Sequence, residues 1–255
     1  MAAPKLIGSQ GESLREAFGK AISTLAINDK RIVVLDGDVA GGTGTHHVRR
    51  NCPEQFIQMG IAEQNMVSAA AGMAQTGLIP IVTTFAVFSL RAIEQCRLSV
   101  ACQNQNVKIV ASHPGLDVGP DGASAQCLED IAMYRAIPNM TVIVPSDPIE
   151  MEKATAAIIE HDGPVYMRTG RSGAPTFQSS DMTFTIGKAQ ILRDGTDVTI
   201  FAMGVMVARA LRAAETLSQR NIDAAVINIS TVKPLDVDTV TQFASRTGAV
   251  VTAED

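Results

Sequence analysis

Apolar residues follow two alternating rhythms along this chain. Short continuous runs predict strands buried on both faces: Ile32-Val-Val-Leu35, Leu78-Ile-Pro-Ile-Val-Thr-Thr84, Val107-Lys-Ile-Val-Ala111, Met140-Thr-Val-Ile-Val144 and Pro164-Val-Tyr-Met-Arg168. Between them, a spacing of three to four predicts helices. Leu14, Ala17, Phe18, Ala21, Ile22 and Leu25 follow a capping box at Ser13 and Glu16, and further helices are expected over 60–77, 85–105, 127–135 and 149–161. Strands alternating with helices imply right-handed crossovers and a mainly parallel sheet covered on both faces. A polar stretch with Gly, Ser and Pro (Gly170 to Asp181) marks a linker, giving a first domain over 1–172, a linker over 173–186 and a smaller α/β domain over 187–255. In that second unit, runs at 189–192 and 197–203 flank an Asp194-Gly195 turn of the kind that closes hairpins. A helix over 205–220 precedes a strand at 224–228, and a helix over 237–245 precedes one at 249–252. The chain stops directly after that strand, so the second domain is expected to be incomplete, cut short or completed elsewhere.

The stretch from Gly60 to Gly77 organises the rest. It reads as a helix that starts near a single acid, Glu63, runs through Ser68, Ala69, Ala70, Ala71, Gly72 and Ala74, and stops at a C′ glycine. Such small residues let another backbone approach closely, which suits a tight subunit or domain contact. Taken alone, a Glu in the first turn is a surface charge compensating the helix dipole. Composition narrows the class. The net charge of −5 leaves no basic footprint, which excludes nucleic acid as an expected partner. No apolar run reaches membrane-spanning length, and the start Met-Ala-Ala-Pro-Lys has no apolar signal core. Cys52, Cys96, Cys102 and Cys127 form no C-x-x-C pair, as expected of reduced thiols in a cytoplasmic protein.

No P-loop, H-E-x-x-H, G-x-S-x-G or helix-opening G-x-G-x-x-G is present. Gly41 to Thr45 follows a strand and has two readings, a phosphate cradle or a mobile surface loop. His46 and His47 are adjacent, a poor arrangement for converging on one metal, and read as solvated or as reaching toward a ligand from a loop. Ligands of parallel sheets sit at the carboxyl ends of strands. There the chain places Asp36-Gly-Asp38, Phe85 with Phe88, the Gly/Pro-rich loop His113 to Gly122, and Arg168 with Arg171. Together these would fit a flat heteroaromatic ligand next to an anion. Individually, Phe85 and Phe88 are core residues at helical spacing, and Arg168 is a surface ion pair.

Gly60-Ile-Ala-Glu-Gln-Asn-Met66, Thr84-Phe-Ala-Val-Phe88, Val118-Gly-Pro-Asp-Gly122 and Ile137-Pro-Asn-Met-Thr-Val-Ile-Val-Pro-Ser-Asp147 together resemble thiamine-diphosphate enzymes of the transketolase group. The resemblance spans essentially the whole chain and is to the pyrimidine-binding domain followed by the start of the C-terminal domain, as in the C-terminal subunit of a split transketolase. It implies that Glu63 shares a proton with N1′ of the cofactor's aminopyrimidine, so that the imino nitrogen can remove the thiazolium C2 proton and the carbanion can attack a ketose carbonyl. It also implies that Phe85 and Phe88 hold the pyrimidine ring. Arg15, His113 and Arg168 match sugar-phosphate-binding positions, Asp121 an aspartate that reads a substrate hydroxyl, and Arg91 lies near a phosphate-binding arginine of the related deoxyxylulose-phosphate synthases. Two departures stand out. Ala125 replaces a histidine that contacts the donor's hydroxyl, and the domain with the G-D-G…N motif, which holds the diphosphate through Mg2+ or Ca2+, is missing. The resemblance therefore implies a heterotetramer in which a partner N-terminal subunit supplies that domain and this chain self-associates through its pyrimidine domain. The alternatives are a β subunit of a 2-oxo-acid dehydrogenase and a non-catalytic scaffold of the same fold.

Overall fold

A computed structural model describes residues 11–255, so the Met-Ala-Ala-Pro-Lys start lies outside the described residues. Half of the capping box forms: Ser13 Oγ accepts the Glu16 amide and opens α1 (Leu14–Asn28), while the Glu16 carboxylate turns to His47 instead of the Ser13 amide. The uninterrupted apolar run Ile32-Val-Val-Leu35, extended by Asp36, becomes β1 (Ile32–Asp36), buried at all five positions. Gly41 to Thr45 is not a loose loop. It folds into a helical turn, α2 (Ala40–Thr43), followed by α3 (His46–Asn51) and a short β2 (Phe56–Gln58). The physical reason is Asp36, whose buried carboxylate accepts the Val39 amide at 2.9 Å and the Thr45, Thr83 and Thr43 hydroxyls at 3.1, 3.3 and 3.4 Å. Asp36 is thus a structural acid that ties down its own loop.

The organising helix is α4 (Glu63–Ala74), followed by β3 (Ile79–Phe85). The single helix expected over 85–105 is instead broken. It begins as α5 (Ala86–Ser89), passes through a 3₁₀ turn at Leu90–Ala92 into α6 (Ile93–Gln95), and ends in a π-helical turn at Cys96–Ala101. The break falls where Ala92 leaves the α region (φ −105°, ψ 15°). The first unit closes with β4 (Lys108–Ser112), α7 (Asp130–Ala136), β5 (Thr141–Ile143), α8 (Pro148–Glu160) and β6 (Val165–Thr169). After it come β7 (Gln190–Arg193), β8 (Val198–Ala202), α9 (Met206–Ser218), β9 (Ala224–Asn228), β10 (Thr231–Lys233), α10 (Val237–Thr247) and β11 (Val250–Ala253).

The fold is mixed α/β with two sheets. The larger has the order β10-β5-β6-β4-β3-β1-β2, parallel throughout except for β10. Strand alternation divides its core. Leu35, Val82, Ile109 and Val142 pack with Met66, Val67 and Ala70 of α4, whereas Val34, Ile81, Val110 and Ile143 pack with Phe18 and Ile22 of α1 and Met151 and Ile158 of α8. The smaller sheet has the order β11-β8-β9-β7. Asp194-Gly195 does not close a hairpin, because β7 pairs antiparallel with β9 rather than with β8. Gly195 is pressed against the backbone of Ala224 and Ala225, where a Cβ would come within 2.3 Å, so the turn carries the chain across β9.

Two features fasten the units together. Strand β10 crosses to pair with β5 of the larger sheet. The fully buried Glu150 accepts the Ser146 amide and hydroxyl (2.7 and 2.5 Å), Asn228 Nδ2 (3.0 Å) and the Ser230 hydroxyl. Burial raises its carboxyl above the usual range, and the hydrogen bonds oppose that rise. The polar stretch after β6 is also anchored: Asp147 Oδ2 accepts the Phe177 and Gln178 amides at 2.9 and 2.8 Å, and the Phe177 side chain is buried.

Candidate active site

The register of the larger sheet brings the predicted loops together. Phe85 sits opposite Ser112, and Ser112 opposite Thr169, so the ends of β3, β4 and β6 lie side by side. His113 follows β4 directly and takes a left-handed backbone (φ 58°), an uncommon state for a residue with a side chain. Its ring stacks on Phe85 with centroids 3.8 Å apart, and Phe85 in turn stacks on Phe88 at 5.3 Å. Phe85 and Phe88 are half-buried at the rim rather than enclosed in the core. Gly42 is required here, since a Cβ would meet the Phe85 ring at 2.5 Å.

His113 is buried between Ser112 Oγ, 2.9 Å from Nδ1, and Asp121, whose Oδ2 is 3.4 Å from Nε2. Burial pushes its pKa down to about 4, and Arg15 adds to the fall, so the imidazole is neutral at pH 7. Arg171 Nε approaches the same Asp121 oxygen at 3.2 Å. Arg15, in the first turn of α1, reaches the Gly42 carbonyl through Nη1 at 3.4 Å, while its Nε is buried without a hydrogen-bond partner among the described residues. Thr84 Oγ1, one residue before Phe85, is also buried and unpartnered. Buried polar groups without partners are uncommon, and these two call for an explanation.

Glu63 is 4% exposed at the first position of α4, and Arg91 Nε stands 3.5 Å from its Oε2. No hydrogen bond reaches this carboxylate among the described residues. The outer face of α4, with Gln64, Asn65, Ser68 and Gly72, is exposed, and open space surrounds the Gly72 Cα.

Arg168 is not a surface ion pair. It is 2% exposed and lies against the fully buried Asp130, donating from Nε to Oδ2 at 2.8 Å and from Nη2 to Oδ1 at 2.5 Å; the Tyr166 hydroxyl donates to Oδ2 as well. Glu254 Oε1 lies 3.5 Å from Nη2. Asp130 is a site-supporting residue that sequence reasoning missed, as are Ser112 and Thr84. Their only signal was position beside a motif, and Asp130 lies 38 residues from its partner. Arg15, Phe85, His113 and Asp121 form one cluster with Arg171, whereas Glu63 pairs with Arg91 and Arg168 is held by Asp130. Ala125 is buried in the loop, its amide held by the Gly122 carbonyl at 3.0 Å.

This architecture, a mainly parallel sheet with clustered loops at the carboxyl ends of its strands joined to a smaller α/β unit, matches a defined class. The transketolase pyrimidine-binding domain matches residues 10–176 and the transketolase C-terminal domain residues 187–255. The uncharacterized transketolase family protein y4mN of Sinorhizobium fredii is 47% identical over 236 residues, 92% of this chain and 68% of that protein. The 6-deoxy-6-sulfo-D-fructose transketolase subunit SqwH of a Clostridium species is 43% identical over 243 residues, 95% of this chain and 76% of its own. A solved split-gene transketolase, described as an inactive β4 tetramer, superposes with a TM-score of 0.89 at 44% identity, covering 96% of this chain and 80% of that one. The chain belongs to the transketolase family. Its pyrimidine-binding domain implies dependence on thiamine diphosphate. No helix among the described residues is long and apolar enough to cross a membrane.

Proposed function

We propose that this chain is the pyrimidine-binding subunit of a two-subunit transketolase that moves a two-carbon ketol unit between sugar phosphates. The observation that carries the reading is Glu63, a buried carboxylate at a helix start with an arginine at 3.5 Å and no hydrogen bond from the described residues. An acid so placed is suited to hold a proton against a pyrimidine nitrogen. Thiamine diphosphate, when bound, supplies the nucleophilic carbon for the transfer. Phe85 and Phe88 offer the ring a stacking edge, and Thr84 Oγ1 a polar contact. Arg15, with its unpartnered Nε, and Arg91, exposed at the rim, bind the substrate's anionic group. His113 donates or accepts as a neutral imidazole, Asp121 accepts a substrate hydroxyl, and Arg168 presents to the substrate only the edge that Asp130 leaves open. The diphosphate and its Mg2+ or Ca2+ belong to a partner N-terminal subunit, in a cytoplasmic heterotetramer whose like-subunit contact uses the small-residue face of α4. The split-gene relative, solved as an inactive tetramer of one subunit type, supports the expectation that this chain alone does not turn over.

The test is Glu63→Ala in the complex reconstituted with its partner. Assembly should persist while turnover falls by about 100-fold or more, the scale of a lost acid–base contribution. Unchanged turnover would sink the assignment and favour the scaffold role.

A further inference from the structure

We propose that Glu16, His46 and His47 form a zinc-binding site that clamps α3 onto α1, separate from the metal that accompanies the cofactor. Glu16 lies in the first turn of α1, and the two histidines open α3. One carboxylate oxygen and one ring nitrogen from each histidine lie within 4.8 Å of one another. His47 Nε2 is already 3.0 Å from Glu16 Oε2, and the two imidazole rings pack at 4.2 Å with their planes tilted by 35°. Ligands around a tetrahedral zinc sit about 2.0–2.1 Å from the ion, so modest rotations of three side chains close the set. His46 Nδ1 is buried with no hydrogen-bond partner among the described residues, a ring nitrogen that a bound cation would satisfy. The His47 side chain is 12% exposed and that of Glu16 32%, which leaves a route for the ion.

Two imidazoles and one carboxylate, with positions left open for water, suit a borderline divalent ion such as zinc. Mg2+ prefers an all-oxygen shell, so this donor set does not duplicate the cofactor's metal site. Two local cations oppose binding, Lys20, which feels the charge of Glu16, and Arg50. Exposed Arg50 lies with Nη2 3.2 Å from His47 Nδ1, so that Nδ1 accepts from Arg50 while Nε2–H donates to Glu16. When zinc takes Nε2, the proton leaves Nε2 and Nδ1 becomes protonated, and the arginine swings out to solvent. The plainer reading is a His47–Glu16 hydrogen bond that fastens two helices, with His46 a bystander. The two readings differ in what they require of His46 and Arg50.

The experiment is a titration of the metal-stripped full-length chain with Co2+, followed by displacement with Zn2+. One equivalent of cobalt should give d–d absorption without a thiolate charge-transfer band, and zinc should abolish it. His46→Ala, which leaves the Glu16–His47 hydrogen bond in place, should weaken zinc binding by about tenfold or more. Arg50→Ala should tighten it several-fold by removing one competing cation, with the fold unchanged by circular dichroism. Zinc affinity unmoved by His46→Ala, a thiolate band pointing to exposed Cys102, or no saturable cobalt spectrum would each overturn the site.

Discussion

Two carboxylates in this molecule are almost equally buried and otherwise opposite. Asp130 is 0% exposed and receives three donors, two from Arg168 and one from Tyr166. Glu63 is 4% exposed and faces one arginine at 3.5 Å, whose own side chain is 71% exposed. Removing a carboxylate from water costs several kcal/mol unless partners replace the lost hydration. Asp130 is repaid within the chain. Glu63 receives no hydrogen bond among the described residues, where the helix start and Arg91 are what it faces. A fold that completes one buried acid and leaves another open has separated a structural role from a ligand-facing one, which supports reading Glu63 as the acid that a bound group completes.

The strongest way to break this contrast is to remove Asp130. Asp130→Ala would strand the Arg168 guanidinium in the protein interior, and loss of one member of a buried pair costs about 3–5 kcal/mol. Urea unfolding of the purified chain should register a destabilisation of that size. A loss below about 1 kcal/mol would mean that Glu254, 3.5 Å from Arg168, takes over the pairing, and that the pair is not self-sufficient.

The sheet was legible because its central strands are uninterrupted apolar runs, and burial on both faces demands that pattern. The strands β2 and β10 were not, since Phe56–Gln58 and Thr231–Lys233 are three residues each, too short to show a period, and lie at sheet edges. The motif marked Glu63 as a site candidate, but neither its burial nor its approach to Arg91 has a local signal, because both arise only when the segment after β3 packs against α4. The sequence placed Arg168 at a strand end without its partner, because no local spacing links residues 38 apart. The histidine doublet read as solvated or as reaching toward a ligand from a loop, and its partner had no local signal for a related reason: Glu16 meets His47 only once α1 packs on α3, 31 residues away.

His113 offers a middle-sized test on the rim itself. Its folded pKa is about 4, below its unfolded value of 6.5, so between these the unfolded chain binds the extra proton. The stability tied to its neutral form is therefore complete above pH 6.5 and is lost as pH falls toward 4. Those two values correspond to a loss of about 2 kcal/mol by pH 5. Comparison with His113→Gln isolates this contribution from the titrating carboxylates: the wild-type advantage should shrink by that amount between pH 7 and 5. Parallel curves would mean that the buried ring takes up its proton in place, with Asp121 at 3.4 Å as the counterion.

The smallest expected effect sharpens the comparison most. Glu63→Gln keeps shape and burial while removing a charge that no hydrogen bond from the described residues reaches. If burial alone set the cost, Glu63 and Asp130 would respond alike, because their exposures differ by only a few per cent. If satisfaction sets it, Glu63→Gln should change the unfolding free energy by less than about 1 kcal/mol, and stabilisation is an allowed sign because an incompletely compensated charge has gone. The Arg91 contact offers little to lose, since an exposed arginine at 3.5 Å is an ion pair of the weak kind. A destabilisation approaching that of Asp130→Ala would show that Glu63 is completed within the chain, and would remove the physical basis for assigning it to a ligand.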